Sequence, residues 1–431
     1  MNVAPILDEW NEYAVRKRLI PRDLSLDAII ASSRLKIVNL TGVRRSGKSS
    51  LLMLLLQDLL SRGEAAHYVN AEDSRSRNEA DLLDQVLKHY GDQGYLLIDE
   101  ITAARDWDGW LARMHDQVKD RLHLIVTSSR STIRTPSRPL RGRSVYYDVL
   151  PLSYLERLRF TQVDAERTTA GRGRLERALD EHMRFGGLPE VVLEPEGMER
   201  VRILSGYARE ILGLDVAAAT GTDPGLVDVF GKYLLQSPYF SATACLNFLK
   251  SAGYHIGKDK ILELEKAAGN SMLFHFLEIN SKSVKKRTQY PRKVYAGDVG
   301  LHHAVLGTED LGRRMENLVF LELLGRQMPG ERMFYWKDRS GAEVDFVVLR
   351  GTVAERAVQV CYDLGGERTR RRELSALGLC AKELAAKECL LINKDRNGTV
   401  DQDGTEVKMV PLLEWLMRPV DAARGSSFKA S

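Results

Sequence analysis

Residues able to do phosphate chemistry cluster in the segment GVRRSGKSS (42–50). Its first eight residues match G-x-x-x-x-G-K-S, the Walker A loop, whose backbone N–H groups point inward at phosphate oxygens. Because Lys48 should reach the β- and γ-phosphates and the Ser49 hydroxyl should bind Mg²⁺, the segment predicts an ATP site. The residues expected to contact the nucleotide are Gly42, Arg45, Ser46, Gly47, Lys48, Ser49 and Ser50.

Two acids end a later apolar run, YLLIDE (95–100). Because unpaired charges resist burial, such a strand end is costly unless it faces a cation. Asp99 is expected to hold the magnesium shell, and Glu100 to polarise the attacking water. After a Walker A loop these acids predict ATP hydrolysis, with binding that does not lead to hydrolysis as the alternative.

Further candidates follow the next apolar run, which closes in Thr127-Ser128-Ser129. Ligands of open α/β sheets collect at this carboxyl edge, so Ser128 or Ser129 could sense the γ-phosphate or orient water; the alternative is a polar strand cap. Arg141 or Arg143 could stabilise the transition state across a subunit boundary, which predicts a homo-oligomer. Arg143 is the favoured finger, and a structural ion pair is its alternative.

The first 150 residues position these groups by alternating apolar runs with amphipathic helical stretches. This alternation is typical of a parallel sheet covered by helices. Strands are predicted at 35–42, 65–73, 94–101 and 122–129. Helices are predicted at 49–63, 81–91 and 107–120. The continuous apolar character of the fourth strand indicates that both of its faces are buried, as in a central parallel strand.

The rest of the chain changes character after PLSYLE (151–156). Helical patterns dominate up to about 235, broken at FGGLPEVV (185–192), where paired glycines and a proline predict a turn. Between 236 and 300, two helices and a two-stranded ribbon give the outline of a winged helix. The remainder, to about 420, is predicted to be mixed α/β.

A basic stretch accompanies the predicted ribbon, and its lysines suit phosphate contacts whose affinity must fall steeply with salt. We expect it to form the wing or its approach and to bind DNA; the alternative is a solvated hairpin. The residues proposed to contact nucleic acid are Lys282, Lys285, Lys286, Arg287 and Lys293. A second arginine cluster, with no acid between its members, spans 130–143.

Composition sets broader limits. A length of 431 residues predicts two or three domains, and 44% hydrophobic with 28% charged residues is typical of a globular protein. The net charge of +4 does not by itself indicate nucleic acid. No apolar run approaches the roughly 20 residues needed to span a membrane, so a cytoplasmic location is expected. The four cysteines lack C-x-x-C spacing and are interpreted as reduced core thiols.

These motifs also carry a family resemblance. NLTGVRRSGKSSLL, YLLIDEI, LRGRSVYYDVLPLSYLE, FGGLPEVV, RKVYAGDVGL and SGAEVDFVV resemble, in order, prokaryotic AAA-type ATPases with a C-terminal DUF4143-type, restriction-endonuclease-like domain. The resemblance implies DNA handling, mobile-element defence or ATP-gated signalling. It also implies an ATPase core (1–150), a helical lid (151–235), a winged helix (236–300) and a nuclease-like domain (301–420).

The nuclease-like domain is expected to lack part of its catalytic set. Such folds resemble one another in a helix glutamate, a strand acid and an E-x-K that bind Mg²⁺ and activate water. Here Glu322 would be the helix acid, and Glu343 and Asp345 the strand acids. The third strand has Gln359 and Cys361 in place of the glutamate and lysine. A retained fold without cleavage is therefore the expectation.

Three functions stay open from the sequence. The first is an Mg²⁺-dependent ATPase that binds DNA and couples hydrolysis to DNA remodelling or translocation. The second is a nucleotide-gated switch that exposes or hides the winged helix for a protein partner. The third is an ATP-regulated nuclease.

Overall fold

A computed structural model describes residues 2–129, 138–164 and 168–418. The described chain forms two compact units, one up to Leu150 and the other from Pro151. None of its helices is both long enough and apolar enough to cross a bilayer. Arg130 and Arg134 of the second arginine cluster lie outside the described residues.

The first unit is an α/β layer built on five parallel strands. These are β1 (Ile37–Thr41), β2 (Ala66–Asn70), β3 (Gly94–Asp99), β4 (Leu122–Ser128) and β5 (Ser144–Asp148). The helices are α1 (Ala4–Arg16), α2 (Leu26–Ser33), α3 (Lys48–Ser61), α4 (Leu82–Tyr90) and α5 (Trp107–Val118). The strand order is β2-β3-β4-β1-β5. This confirms the predicted parallel sheet and adds β5, which was not predicted.

Two apolar cores flank this sheet. One packs α5 residues such as Trp110 and Leu111 against β3 and β4, and the other packs α3 residues such as Leu52 and Leu55 against β1 and β5. Every residue of β1 is buried. Burial on both faces explains why these strands read as continuous apolar runs.

The second unit begins with helices. They are α6 (Tyr154–Phe160), α7 (Thr169–Phe185), α8 (Pro189–Leu193), α9 (Gly197–Ile211), α10 (Ala218–Thr220) and α11 (Pro224–Gln236). A π-helical segment, Leu212–Ala217, joins α9 to α10. The helical character predicted for 151–235 is confirmed, whereas the role of this region as a lid stays a prediction.

Next come helices and strands of a small antiparallel sheet. They are β6 (Tyr239–Phe240), α12 (Ala242–Ser251), α13 (Lys258–Asn270), β7 (Phe274–Leu277), α14 (Val284–Gln289) and β8 (Arg292–Ala296). The sheet order is β6-β8-β7, and both pairings are antiparallel. Helix α14 separates the two ribbon strands, so the basic stretch is partly helical and not a simple extended wing.

The C-terminal part is a mixed-sheet domain. Its elements are α15 (Gly300–Leu306), α16 (Leu311–Gly325), β9 (Glu331–Lys337), β10 (Glu343–Arg350), β11 (Val353–Cys361), α17 (Glu367–Leu384), β12 (Glu388–Asn393), β13 (Gly398–Gln402), β14 (Thr405–Pro411) and α18 (Leu412–Leu416). The strand order is β13-β14-β12-β11-β10-β9. Strands β11, β12 and β14 pair in parallel and the remaining neighbours antiparallel. The predicted mixed α/β class is confirmed; β13 and β14 were not predicted.

Residues from three motifs of the second unit, PLSYLE, FGGLPEVV and RKVYAGDVGL, contact one another in its interior. The Asp298 carboxylate accepts N–H bonds from Gly187 (2.8 Å) and Gly300 (2.8 Å). Leu152 N–H in turn donates to the Gly187 carbonyl (2.7 Å). A Cβ at Gly186 would lie 1.7 Å from an Asp298 oxygen, and the backbone there has φ +75°. The glycine pair is therefore required by close packing and backbone conformation.

Candidate nucleotide-binding site

The loop between β1 and α3 curls as the Walker A pattern predicts. Gly42 has no room for a side chain, because an added Cβ would lie 2.1 Å from the Val149 carbonyl oxygen. Gly47, immediately before α3, has φ +95°, a conformation that glycine adopts without strain. Arg45 is exposed and also left-handed, with φ +68°. Two left-handed residues two positions apart turn the backbone into the start of α3.

The side chains inside this loop leave a polar cradle. Lys48 is buried, and its ammonium donates to the carbonyl oxygens of Gly42 (3.0 Å) and Val43 (3.1 Å). Ser46 is fully buried, and its hydroxyl has no hydrogen-bond partner among the described residues. An unsatisfied buried hydroxyl is costly, and here it lies beside an ammonium at a helix N-terminus. These donors fit a phosphate group.

Arg22 supports the loop from outside the motif. Its guanidinium donates to the Ser46 carbonyl (2.9 Å) and to the Leu150 carbonyl (2.9 Å). It therefore ties the loop to the chain that leaves β5. Sequence reasoning missed this residue, because it lies twenty positions before the motif and carries no spacing signal of its own.

Asp99 meets the loop at the other end of the site. Its carboxylate accepts hydrogen bonds from the hydroxyls of Tyr68 (2.8 Å), Thr127 and Ser49. Burial raises the pKa of Asp99, against the opposing effect of hydrogen bonds from Thr127 and Ser49. A hydroxyl and a carboxylate in contact are the ligand pair that a P-loop site offers to Mg²⁺. The two predicted metal ligands, Ser49 and Asp99, are thus brought together.

Glu100 is fixed by the strand beside its own. It has a left-handed backbone, φ +49°, and its N–H donates to the Thr127 hydroxyl (2.9 Å). Its carboxylate accepts the N–H of Ser129 (3.0 Å) and also the Ser129 hydroxyl. Ser128 instead hydrogen bonds to Thr102 (3.0 Å). Of the two serine candidates, Ser129 hydrogen bonds to the predicted base, Glu100.

The sheet order separates the loop from the acids by one strand. The loop follows β1 and the acids end β3, and β4 lies between these two strands. The Thr127-Ser128-Ser129 segment therefore lies between the loop and the acids. This position explains why Thr127 contacts both Asp99 and Glu100.

The structure places the predicted finger Arg143 in an intramolecular ion pair. Its guanidinium makes two bonds to Asp116 (2.8 and 2.9 Å) and one to the Pro139 carbonyl (2.7 Å). The hydrogen bond from Arg143 lowers the pKa of Asp116 to about 2. The alternative of a structural ion pair describes this contact. Arg141 is exposed in the turn before β5.

The predicted nucleic-acid residues divide into two groups. Lys282 and Lys285 are exposed, and Lys286 lies on α14 with Lys285. Arg287 is partly buried and donates to the Ser281 carbonyl (2.7 Å). Lys293 differs from the expectation, because it is only 4% exposed and its ammonium faces carboxylates. Its burial removes it from the set able to contact phosphates.

The nuclease-like residues are also arranged differently from the expectation. Glu322 was the predicted helix acid, but it accepts the Tyr154 N–H (2.8 Å) and pairs with Arg326 (3.5 Å). Glu316, on the same helix, points instead to Lys293, together with Glu343 and Asp345. On β11, Gln359 accepts the Asp345 N–H (3.0 Å). Cys361 is half-buried, and burial raises the pKa of its thiol to about 11.

Family models match both ends of the chain. Residues 34–158 match the model of an AAA domain, and residues 311–415 match that of a domain of unknown function, DUF4143. The two matches confirm the predicted resemblance to an AAA-type ATPase with a C-terminal DUF4143 domain.

Relatives extend over most of the length. An uncharacterised protein of Methanocaldococcus jannaschii is 28% identical over 428 residues, which is 95% of this chain and 93% of that protein. An uncharacterised protein of Haemophilus influenzae is 26% identical over 333 residues, 72% of this chain and 80% of that protein.

Solved structures were also compared. AMPPCP-bound DnaA from Aquifex aeolicus is 12% identical, with a TM-score of 0.26, over 56% of this chain and 85% of that one. Drosophila ORC bound to DNA is 14% identical, with a TM-score of 0.25, over 66% of this chain and 94% of that one.

Proposed function

We propose that this chain, which combines an AAA domain with a DUF4143 domain, is an Mg²⁺-dependent ATPase that binds DNA. The observation that carries the proposal is the contact between Ser49 and Asp99, which joins the loop after β1 to the acid at the end of β3. Beside it lies the cradle of Lys48 and the unpaired hydroxyl of Ser46. This combination supports phosphate binding next to a divalent cation.

The residues divide the work of hydrolysis as follows. Lys48 exchanges its bonds with the loop carbonyls for bonds to the β- and γ-phosphates. Ser49 and Asp99 would hold Mg²⁺, which would supply positive charge against the phosphates. Glu100 accepts the proton of the attacking water. Because Ser129 now holds the Glu100 carboxylate through two hydrogen bonds, turnover requires this contact to open or to turn toward the water.

The second unit supplies the DNA contact in this proposal. The proposal of a winged helix is supported by the order of α11, β6, α12, α13, β7 and β8. Lys282 and Lys285 are exposed in the segment that replaces its wing, where they can neutralise phosphates without reading bases. We propose that hydrolysis drives remodelling of this DNA or movement along it.

Assembly is proposed to complete the ATP site. Since Arg143 is held by Asp116, Arg141 is the better candidate to reach a neighbouring subunit's γ-phosphate. Mixing Arg141→Ala protein with Lys48→Ala protein should restore ATPase activity through hybrid interfaces. Mass in solution, recorded with and without ATP, should show an ATP-dependent oligomer. A monomer with full ATPase activity would contradict the proposed role of assembly.

The central test is the ATPase rate against duplex, forked and single-stranded DNA at low salt. We expect DNA to raise the rate severalfold and Lys48→Ala to abolish both nucleotide binding and hydrolysis. Protein that retains no labelled nucleotide with any divalent metal would overturn the ATPase assignment itself.

The DNA contact has its own test. Lys282→Glu and Lys285→Glu should each weaken DNA binding and lower the slope of log K against log salt by about 1. Lys382→Glu, an exposed lysine on α17, changes the net charge equally and serves as the control. Equal losses in all three variants would indicate a general charge effect and refute a specific contact.

A nucleotide-gated switch for a protein partner is the second candidate. The engaged state of Glu100 favours it, because a base held by Ser129 suits slow turnover. Slow hydrolysis that no nucleic acid accelerates would support this function over the first.

A further inference from the structure

A buried ammonium lies at the centre of the carboxylate cluster in the second unit. Lys293 Nζ lies 2.6 Å from an Asp345 oxygen and 3.0 Å from oxygens of both Glu316 and Glu343. The lysine comes from β8, whereas the acids come from α16 and β10. Three carboxylates from the mixed-sheet domain thus converge on one cation that belongs to the neighbouring small sheet.

Each carboxylate also has a second partner. Tyr295 donates its hydroxyl to the Glu316 oxygen that Lys293 contacts (2.8 Å), and the second Asp345 oxygen accepts the Val360 N–H (2.8 Å). Glu343 accepts the Tyr239 hydroxyl and pairs with Lys337 (3.0 Å). Each acid therefore has a partner besides Lys293, so the cluster is a closed polar network.

The ammonium stays charged in this setting. Burial opposes the charged form of Lys293, but attraction to Asp345 and Glu316 outweighs it and holds the pKa well above its usual value. Two lysines, Lys293 and Lys337, face the three acids, and burial raises the pKa of Asp345 to about 7 against the opposing attraction of Lys293. The cluster therefore carries at most one net negative charge without any metal ion.

The group at the centre of the cluster is an ammonium and not a metal. Mg²⁺ binds oxygens at roughly 2.0–2.1 Å, and Ca²⁺ takes six to eight oxygens at roughly 2.3–2.6 Å. Here the oxygens stand at hydrogen-bond distance around nitrogen, and across the described ranges no set of three or more His, Cys, Asp or Glu side chains is arranged to hold a metal. The position that a divalent cation would take among these acids is filled by the chain itself.

We propose that Lys293 is the permanent counter-ion of this cluster, which anchors the β8 ribbon to the DUF4143 domain and excludes divalent metal. Although β11 lacks the expected lysine, Lys293 of β8 lies beside the acids instead. Three carboxylates contact its ammonium, and burial keeps it from a phosphate. The basic segment carrying Lys282 and Lys285 leads directly into this anchored strand. The proposal does not depend on ATPase activity.

The test measures Mn²⁺ retention and thermal unfolding without nucleotide, in an Asp99→Asn background that removes the carboxylate proposed to hold metal in the ATP site. Lys293→Met should lower the unfolding temperature by about 5–15 °C, as removing one partner of a buried pair does. Mn²⁺ should restore part of that loss in Lys293→Met, with binding visible by electron paramagnetic resonance. Lys382→Met, which removes an exposed lysine, is the control and should leave unfolding unchanged.

Several results would overturn the proposal. Mn²⁺ held by the Asp99→Asn protein and lost on adding Asp345→Asn would mean that the cluster is an open metal site. An unchanged unfolding temperature in Lys293→Met would mean that the lysine anchors nothing. Where Lys293→Met fails to fold, the pair Lys293→Met with Asp345→Asn removes opposite charges together. It should fold although Lys293→Met alone does not, because no unpaired buried charge remains; a double variant that also fails to fold would refute the anchor.

Discussion

Replacing Glu100 by glutamine isolates the predicted base. In the structure the Glu100 carboxylate accepts both the N–H and the hydroxyl of Ser129. A glutamine oxygen can still accept the Ser129 N–H, while its amide donates to the Ser129 hydroxyl oxygen. The variant should therefore keep the local fold and the contact between Ser49 and Asp99. What it loses is the ability to take a proton from water.

The expected loss in kcat follows from the missing proton transfer to Glu100. A positioned general base contributes roughly 10²–10⁴ in rate. At about 1.4 kcal/mol for each factor of ten, this corresponds to about 3–5 kcal/mol of barrier. Glu100→Gln should accordingly lower kcat by about 100-fold to 10,000-fold and leave the Kd for ATP unchanged. Together, a lower kcat and an unchanged Kd would show that the variant has lost catalysis and kept its ATP-binding site.

The assay pairs phosphate release at saturating ATP with equilibrium binding of a fluorescent ATP analogue. Glu72→Gln, at an exposed glutamate, controls for a lost negative charge. Undiminished phosphate release by Glu100→Gln, with ATP still bound, would show that another group is the base. A loss of binding that parallels the loss of turnover would also refute the division of roles between Glu100 and the loop.

Three further outcomes are expected. Arg22→Ala should weaken ATP binding about tenfold in a binding titration, because a charge-assisted hydrogen bond to the Ser46 carbonyl is worth about 1.5 kcal/mol or more; unchanged affinity would deny Arg22 any part in holding the loop. Asp116→Asn should leave ATPase activity unchanged in a phosphate-release assay, because Arg141 is the proposed finger and Arg143 only pairs with Asp116; a raised activity would identify the released Arg143 as the finger. Burial lowers the pKa of His302 to about 4, so its contribution to stability is complete above pH 6.5 and is lost as pH falls toward 4. We expect the free energy of unfolding in urea to fall between pH 7 and pH 5 by about 2 kcal/mol more in the wild-type protein than in His302→Asn. An equal fall in both proteins would contradict this.

The nucleotide site could be predicted because its information is local. The loop from Gly42 to Ser49 and the pair Asp99 and Glu100 each occupy a few consecutive residues between a strand and the turn that follows it. Glycine spacing and charge at a strand end have few other uses, so type and position suffice. Ser129 was one of two candidates, and only the hydrogen bonds to Glu100 distinguish it from Ser128.

The helix acid could not be predicted, because periodicity does not say which face of a buried helix meets the site. Glu316 and Glu322 are six residues apart on α16, which places them on different faces at 3.6 residues per turn. Much of this helix is buried, including Leu318, Val319 and Phe320, so no polar stripe marks an outward side. Only the position of β10 shows that Glu316 is the residue that meets Asp345 across Lys293.

Two buried charged residues of the second unit hold its structure together. Asp298 lies in RKVYAGDVGL, a motif of the family resemblance, and its carboxylate accepts the backbone N–H groups of Gly187 and Gly300. Lys293 lies in a run that suggested DNA binding, yet it neutralises Asp345. In both cases a charged side chain is retained in the interior because its partners are too, since removing either one leaves an unpaired buried group. The charged motif residues Asp298 and Lys293 therefore serve packing within this unit. The DNA contact proposed above is assigned to the exposed lysines that precede β8, Lys282 and Lys285.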